Sequence, residues 1–201
     1  MSSDNTKELT DEQIIELFKA GQVELYPQLI ERHHQKAYQI AYGILYSHHD
    51  AEEVVQDSFV KIYKVLDSFR GDARFSTWMY RIVSNFAKNR YRWNKRRGSH
   101  VNVSMDLPVA GKDHSEFKRE FPQEHGQPDQ KLKFNELEEG IALLLKDIPE
   151  IYREALILRN VEHMTYDEIS EVLDCKIGTV KSRIARGREE LRELLKHKGL
   201  I

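Results

Sequence analysis

From Ile14 onward, apolar residues return every three or four positions with charged residues between them, the interval expected of helices that bury one face. Thr10-Asp11-Glu12-Gln13 has the Ser/Thr-x-x-Glu/Gln form of a capping box. Ile14, Leu17 and Phe18 follow at helical spacing, and Gly21 is a stop signal. Between Val23 and Ser47 the same period runs through Leu25, Leu29, Ile30, Tyr38, Ala41, Tyr42 and Leu45. Pro27 near the start and a weak point near His34 or Gln35 leave open one long helix or two in series. Asp50 with Glu53 three residues later predicts another cap, after which Val55, Phe59, Ile62, Tyr63 and Leu66 trace one buried face. Gly71-Asp72 marks a turn. Phe75, Trp78, Met79, Ile82, Val83 and Phe86 then predict a helix reaching about Asn94.

The period disappears between Gly98 and Gln127, where Pro108, Pro122, Gly111 and Gly126 mix with scattered charges and Pro128 follows. So long a stretch without pattern does not fit inside one compact domain, so it reads as a flexible linker. Beyond Asp129, Phe134, Leu137, Ile141, Leu144 and Leu145 predict a helix. Ile148-Pro149 opens another that buries Tyr152, Ala155, Leu156 and Leu158. Thr165-Tyr166-Asp167-Glu168 is a second capping box, opening a helix to Leu173. Asp174-Cys175-Lys176 turns, and Ile177 to about Leu195 forms the last helix. No persistent strand alternation occurs. The expected fold is all-α, with a four-helix domain over residues 1–97, a linker over 98–128 and a helical domain over 129–201.

Composition narrows the function. Cys175 is the only cysteine, so no intramolecular disulfide or multi-cysteine zinc site can form. No stretch approaches the roughly 20 apolar residues of a membrane span, which makes membrane insertion unexpected and the cytoplasm the default location. A formal net charge of −2 argues mildly against a nucleic-acid binder, but the distribution argues the other way. Residues 81–97 carry Arg81, Lys88, Arg90, Arg92, Lys95, Arg96 and Arg97 without a carboxylate, whereas Asp50, Glu52, Glu53 and Asp57 form an acidic patch upstream. Segregated charge suggests separate surfaces for separate partners.

Residues 165–188 have helix-turn-helix spacing: Ile169, Val172 and Leu173 would face Val180 and Ile184 across a three-residue turn. The second helix of such a unit enters the major groove. Here it carries Lys181, Ser182, Arg183, Arg186 and Arg188, and arginine can donate twice to guanine, worth ~1–3 kcal/mol of discrimination. Arg81, Asn85, Lys88 and Arg92 recur at four, three and four positions, lining one side of their helix where it can lie along phosphates. Trp78 falls on the apolar stripe and reads as core, whereas Tyr91 and Trp93 read as exposed rings near the cations, a pairing that suits single strands. The pairs His33-His34 and His48-His49 point in different directions on a helix, so no metal site is expected. No P-loop, nucleophile elbow, dinucleotide fingerprint or HExxH motif occurs, and neither enzymatic activity nor a cofactor is expected.

Two blocks resemble the extracytoplasmic-function sigma factors of the sigma-70 family. Asp50-Ala51-Glu52-Glu53-Val54-Val55-Gln56-Asp57-Ser58-Phe59 followed by Phe69-Arg70-Gly71-Asp72-Ala73-Arg74-Phe75-Ser76-Thr77-Trp78 resembles their region two. Ile148-Pro149, Tyr166-Asp167-Glu168-Ile169 and Gly178-Thr179-Val180-Lys181-Ser182-Arg183-Ile184 resemble region four. The resemblance implies a transcription initiation factor. Glu53, Gln56, Asp57 and Phe59 would dock on the clamp helices of the polymerase largest subunit, with the β flap as a further contact. Arg70, Asp72, Phe75, Arg81, Asn85, Lys88 and Arg92 would open and hold the minus-ten element of promoter DNA. Thr179, Lys181, Ser182, Arg183 and Arg186 would read the minus-thirty-five duplex, and an anti-sigma factor would regulate the protein. Ser170 stands where a smaller alanine often packs, and Asp174 where glycine is common, although aspartate tolerates a turn conformation. The competing readings are a LuxR-like regulator and a protein-binding helical adaptor. An all-helical N-terminal half counts against the first, and the segregated arginines count against the second.

Overall fold

The computed structural model describes residues 9–98, 144–161 and 163–199. Thr10 starts helix α1 (Asp11–Lys19) through a reciprocal cap: its hydroxyl accepts from the Gln13 amide at 3.3 Å and the Gln13 side chain accepts from the Thr10 amide at 2.9 Å. Gly21, at φ 100°, turns the chain into a short 3₁₀ segment, Val23–Leu25. Helix α2 (Tyr26–Leu45) then takes Pro27 in its first turn, where no backbone donor is needed, and runs without a break past His34 and Gln35. One helix, not two in series, is the outcome.

Tyr46 ends α2 in the left-handed region at φ 56°, its amide donating to the Tyr42 carbonyl at 2.8 Å. Helix α3 (His48–Val65) is capped by Ser47, whose hydroxyl accepts from the Asp50 amide at 3.2 Å. The cap expected at Asp50 therefore lies three residues earlier, because Ser47 is the residue with extended backbone and a hydroxyl facing the first turn. A 3₁₀ turn, Leu66–Ser68, and a loop bent at Gly71 lead into helix α4 (Phe75–Gly98). It continues past Asn94, the expected end.

Helices α2, α3 and α4 pack together through Leu29, Ile40, Ile44, Val55, Ile62, Met79 and Val83, all at most 2% exposed. Each such side chain contributes about 1.5–3 kcal/mol on burial. Polar ties set the angles. Asp11 accepts from Arg32 at 3.0 Å and lies 2.6 Å from His33 Nε2, fixing α1 to α2. The Tyr26 hydroxyl donates to the Phe59 carbonyl at 2.7 Å, and burial pushes that phenol well above its usual range. Tyr63 leaves the buried face assigned to it: it is 43% exposed, one ring edge resting on Phe18 and Tyr26.

The second domain holds helices α5 (Glu150–Val161), α6 (Tyr166–Leu173) and α7 (Ile177–His197). Thr165 and Glu168 form the predicted capping box on α6. Asp174 closes α6 at φ 50°, a left-handed position that aspartate tolerates, and its place there accounts for the missing glycine. Ile169, Val172 and Leu173 meet Val180 and Ile184 in a buried seam, as the helix-turn-helix spacing requires. The proposed linker and the helix expected from Asp129 lie outside the described residues, apart from Leu144, Leu145 and Lys146, which are helical. Among the described residues there is no strand.

Two glycines sit where helices touch. A Cβ on Gly187 in α7 would lie 2.9 Å from the Leu156 side chain on α5, and one on Gly43 in α2 would lie 2.9 Å from Ile157, also on α5. Gly178 has nothing within 4 Å. Gly187→Ala is expected to destabilise the protein by about 1–3 kcal/mol through overpacking, whereas Gly178→Ala should be neutral or slightly stabilising. Urea denaturation of the two variants side by side checks this.

Candidate nucleic-acid interface

The edge of α4 that carries Arg81, Asn85, Lys88 and Arg92 forms as its spacing predicts, but it is not open to water along its length. Lys88 Nζ lies 3.0 Å from Glu154 Oε1 of α5, with the two side chains only 17% and 7% exposed. The fully buried Ser84 hydroxyl donates to the same carboxylate. Arg81 pairs with Asp174 at 3.3 Å, Arg92 with Glu150 at 3.3 Å and Arg74 with Glu168 at 3.3 Å. In all four pairs the cation belongs to the first domain and the carboxylate to the second. Asn85 is exposed.

Beside these pairs the Arg153 guanidinium, 1% exposed, lies between two rings of the first domain, 4.9 Å from the Tyr46 centroid and 4.8 Å from that of Tyr91. Cation–π contacts gain strength when desolvated, to about 2 kcal/mol. Burial pushes the Tyr46 phenol well above its usual range, with the Arg153 charge acting in the opposite sense. Tyr91 is thus partly covered, contrary to expectation, while Trp93 is exposed as expected and stacks under Arg97 at 4.4 Å.

Arg70 and Asp72 are exposed on the loop before α4. Phe75 is not available to DNA: it is 1% exposed in the core, edge-on to His33 and Phe69, because it is the first residue of α4 and anchors that helix. Trp78 is half-buried against Phe69 and Phe75, so core packing claims most of it. The loop faces α6 across a cleft of about 740 Å³, with Arg70, Asp72 and Arg81 on one wall and Ser170, Asp174 and Lys176 on the other.

On α7, Thr179, Ser182, Arg183 and Arg186 stand at i, i+3, i+4 and i+7 and share one face. Ser182 and Arg186 are exposed, whereas Thr179 and Arg183 are half-buried. The Ser182 hydroxyl donates back to the Thr179 carbonyl at 2.9 Å, and Arg186 donates to the Tyr152 hydroxyl at 3.2 Å. Lys181 is exposed with its ammonium 5.9 Å from the Tyr166 ring.

On α3, Gln56 and Asp57 are exposed. Phe59 is 5% exposed and packed inward, so it cannot touch a partner. Val60 at 54% and Tyr63 at 43% present the apolar surface instead. Glu53 is engaged by Arg90 at 2.7 Å, and Asp50 by Arg90 at 3.0 Å and Asn94 at 3.0 Å. Burial works against the Arg90 charge, but the Glu53 hydrogen bond and both carboxylates outweigh it and hold the guanidinium above its ordinary value. The acidic and basic runs separated in sequence are here partly neutralised across α3 and α4. The sequence reading missed the ring of carboxylates on the second domain, along with Arg153. Its one available signal was Gly43, a glycine inside a helix whose period is otherwise apolar.

Residues 29–97 match the family model for Sigma-70 region 2 and residues 139–191 that for Sigma-70, region 4. An ECF RNA polymerase sigma-E factor of Salmonella typhimurium is 34% identical over 186 residues, covering 92% of this chain and 94% of its own length. The chain belongs to the extracytoplasmic-function sigma factors. The ECF RNA polymerase sigma factor SigW of Bacillus subtilis is 31% identical, covering 90% of this chain and 95% of its own. The sigma factor RpoE of Bartonella quintana, solved with the anti-sigma factor NepR, superposes with a TM-score of 0.62 at 25% identity over 85% of this chain and 96% of that one. This ECF sigma factor is a promoter-specific transcription initiation factor with two helical domains.

The histidine pairs of this sigma factor have structural surroundings. His33 is buried against Asp11, and His34 stacks on Phe59 with the rings 10° from parallel. Burial lowers the His34 pKa from its ordinary 6.5, with the Glu52 charge acting in the opposite sense. The folded chain then takes up this proton less readily than the unfolded chain, so the contribution is intact above pH 6.5 and declines as the pH falls below it. Stability measured by urea denaturation is expected to drop from about pH 8 to about pH 5.5, and His34→Gln should flatten that slope.

Proposed function

We propose that this sigma factor binds core RNA polymerase through α3 and directs it to promoters by gripping DNA in two forms. The helix-turn-helix carries the proposal: a capped α6, a left-handed turn at Asp174 and a face of α7 lined by Thr179, Ser182, Arg183 and Arg186. That face fits the major groove of the minus-thirty-five element, where an arginine fork discriminates by ~1–3 kcal/mol. Lys181 beside it suits a phosphate.

The first domain would act on the minus-ten element as a separated strand. Arg70 and Asp72 stand exposed on the loop, and Arg81, Asn85, Lys88 and Arg92 follow along α4, which suits a backbone track beside a pocket for an unstacked base. Phe75 would shape the loop from inside the core rather than touch DNA. On α3 the docking face would combine Gln56 and Asp57 with Val60 and Tyr63, an apolar ridge rimmed by polar groups, against the clamp helices, and the second domain would reach the β flap. Glu53 would steady this face through Arg90. The protein would act by binding alone, in the cytoplasm where the polymerase works. An anti-sigma factor, as in the RpoE complex with NepR, would hold it inactive.

Added to core polymerase, the protein is expected to start transcription from a defined promoter set in vitro. Stable core binding without a promoter-specific start would count heavily against the proposal. Arg186→Ala should weaken recognition of minus-thirty-five duplex by ~1–3 kcal/mol and leave core affinity unchanged. Val60→Asp, on an exposed position, should do the reverse, lowering core affinity about tenfold with the melting temperature preserved. Titration of labelled core with each variant separates the two.

A further inference from the structure

Helix α1 ends before residue 29, where the match to Sigma-70 region 2 begins, yet it is tied to both ends of the loop that carries Arg70 and Asp72. At the near end the Lys19 ammonium donates to the Phe69 carbonyl at 2.5 Å, across 50 residues of chain. At the far end Asp11 lies 2.6 Å from Nε2 of His33, whose ring stands edge-on to Phe75 with the centroids 5.4 Å apart. We propose that α1 is a brace for this loop: Lys19 and Asp11 are positioning residues that fix its two ends and so, on the minus-ten reading of the loop, set its selectivity for an unstacked base.

The loop needs support from outside. Its backbone hydrogen bonds sit at its margins, the Phe69 amide donating to Leu66 at 3.0 Å and the Trp78 amide to Arg74 at 3.1 Å, and Gly71 at φ 79° adds freedom between them. A loop that becomes ordered only when a base arrives loses part of the binding energy to its own ordering, and preorganisation removes that loss. Lysine in the last turn of a helix ordinarily serves the final carbonyls of that helix. Lys19 reaches to Phe69 instead, and a charged donor makes one of the stronger hydrogen bonds. The carbonyl it holds belongs to the peptide that joins Phe69 to Arg70, so the bond fixes the plane from which Arg70 departs. Among the described residues His33 Nδ1 is buried without a hydrogen-bond partner, so the bond to Asp11 is what orients the ring against Phe75. The brace is itself anchored, because Ile14, Ile15 and Phe18 of α1 are at most 6% exposed in the core.

Trp78 supplies the reporter. Its ring centroid lies 5.2 Å from that of Phe69 and 6.0 Å from that of Phe75, and the other tryptophan of the chain is the exposed Trp93. In a Trp93→Phe background, Lys19→Met keeps the stem and deletes the ammonium. It should steepen acrylamide quenching of Trp78 fluorescence with the melting temperature unchanged, and Lys19→Arg should restore the shallow slope. Unchanged quenching in Lys19→Met would overturn the brace. Base selectivity is read with the full chain bound to core polymerase and a randomised single-stranded DNA pool, sequenced before and after capture. Lys19→Met should reduce the strongest base preference about tenfold and leave core affinity as it was, and Asp11→Asn should weaken the same preference. An equal loss at every position of the pool, or no loss at any, would overturn the positioning role. A native chain that prefers no base at any position strikes the minus-ten reading instead, while the quenching of Trp78 still decides the brace.

Discussion

Glu154 is a carboxylate, 5% exposed, at the centre of the contact between the two domains, and much of the molecule is arranged around it. A carboxylate left unpaired in such surroundings would cost about 3–5 kcal/mol, so its partners must be present wherever it is buried. Lys88 and Ser84 meet that need from α4, one with a charge and one with a hydroxyl. These two bonds favour the register in which α5 sits on the first domain. Gly43 lets the backbone of α2 come close enough for that register, and Arg153 finds its place between Tyr46 and Tyr91 once it is reached.

The same contact is graded from its centre to its edge. Exposed ion pairs alone hold little, roughly 0–1 kcal/mol each. Arg74, Arg81 and Arg92 form pairs of that kind. The buried Lys88 with Glu154 and the caged Arg153 supply what the outer pairs lack. The contact between the domains therefore has a firm, buried centre and a loose, exposed rim. The outer face of α7 stays outside this contact, because Ser182 and Arg186 are exposed, whereas α6 and its turn contribute Glu168 and Asp174 to it.

The capping boxes at Thr10 and Thr165 placed their helices because a cap is local, made within four residues of chain. The seam between α6 and α7 was equally readable, since five apolar positions across a three-residue turn leave one way to pack. The cap at Ser47 was missed because an acidic residue two positions inside a helix resembles a cap in sequence. Phe59 and Phe75 were misassigned for a related reason. A motif names residues that matter, but burial decides whether they touch the partner or hold the residue that does. Val60 and Tyr63 show the converse, apolar side chains turned outward beside the stripe that hides Phe59.

What the chain determined by itself was therefore everything set by period and by neighbours: all-helical character, the helix-turn-helix, the cationic edge of α4 and the family. Helical spacing and capping act over a few residues, and a linear string contains them in full. What only the tertiary structure decided was which charges would meet. Glu154 lies 66 residues from Lys88 and Asp174 lies 93 from Arg81, differences that carry no mark of attraction in the sequence. Long-range pairing is chosen by the shape of two packed surfaces, to which Gly43 on one side and Ile157 on the other contribute the close approach.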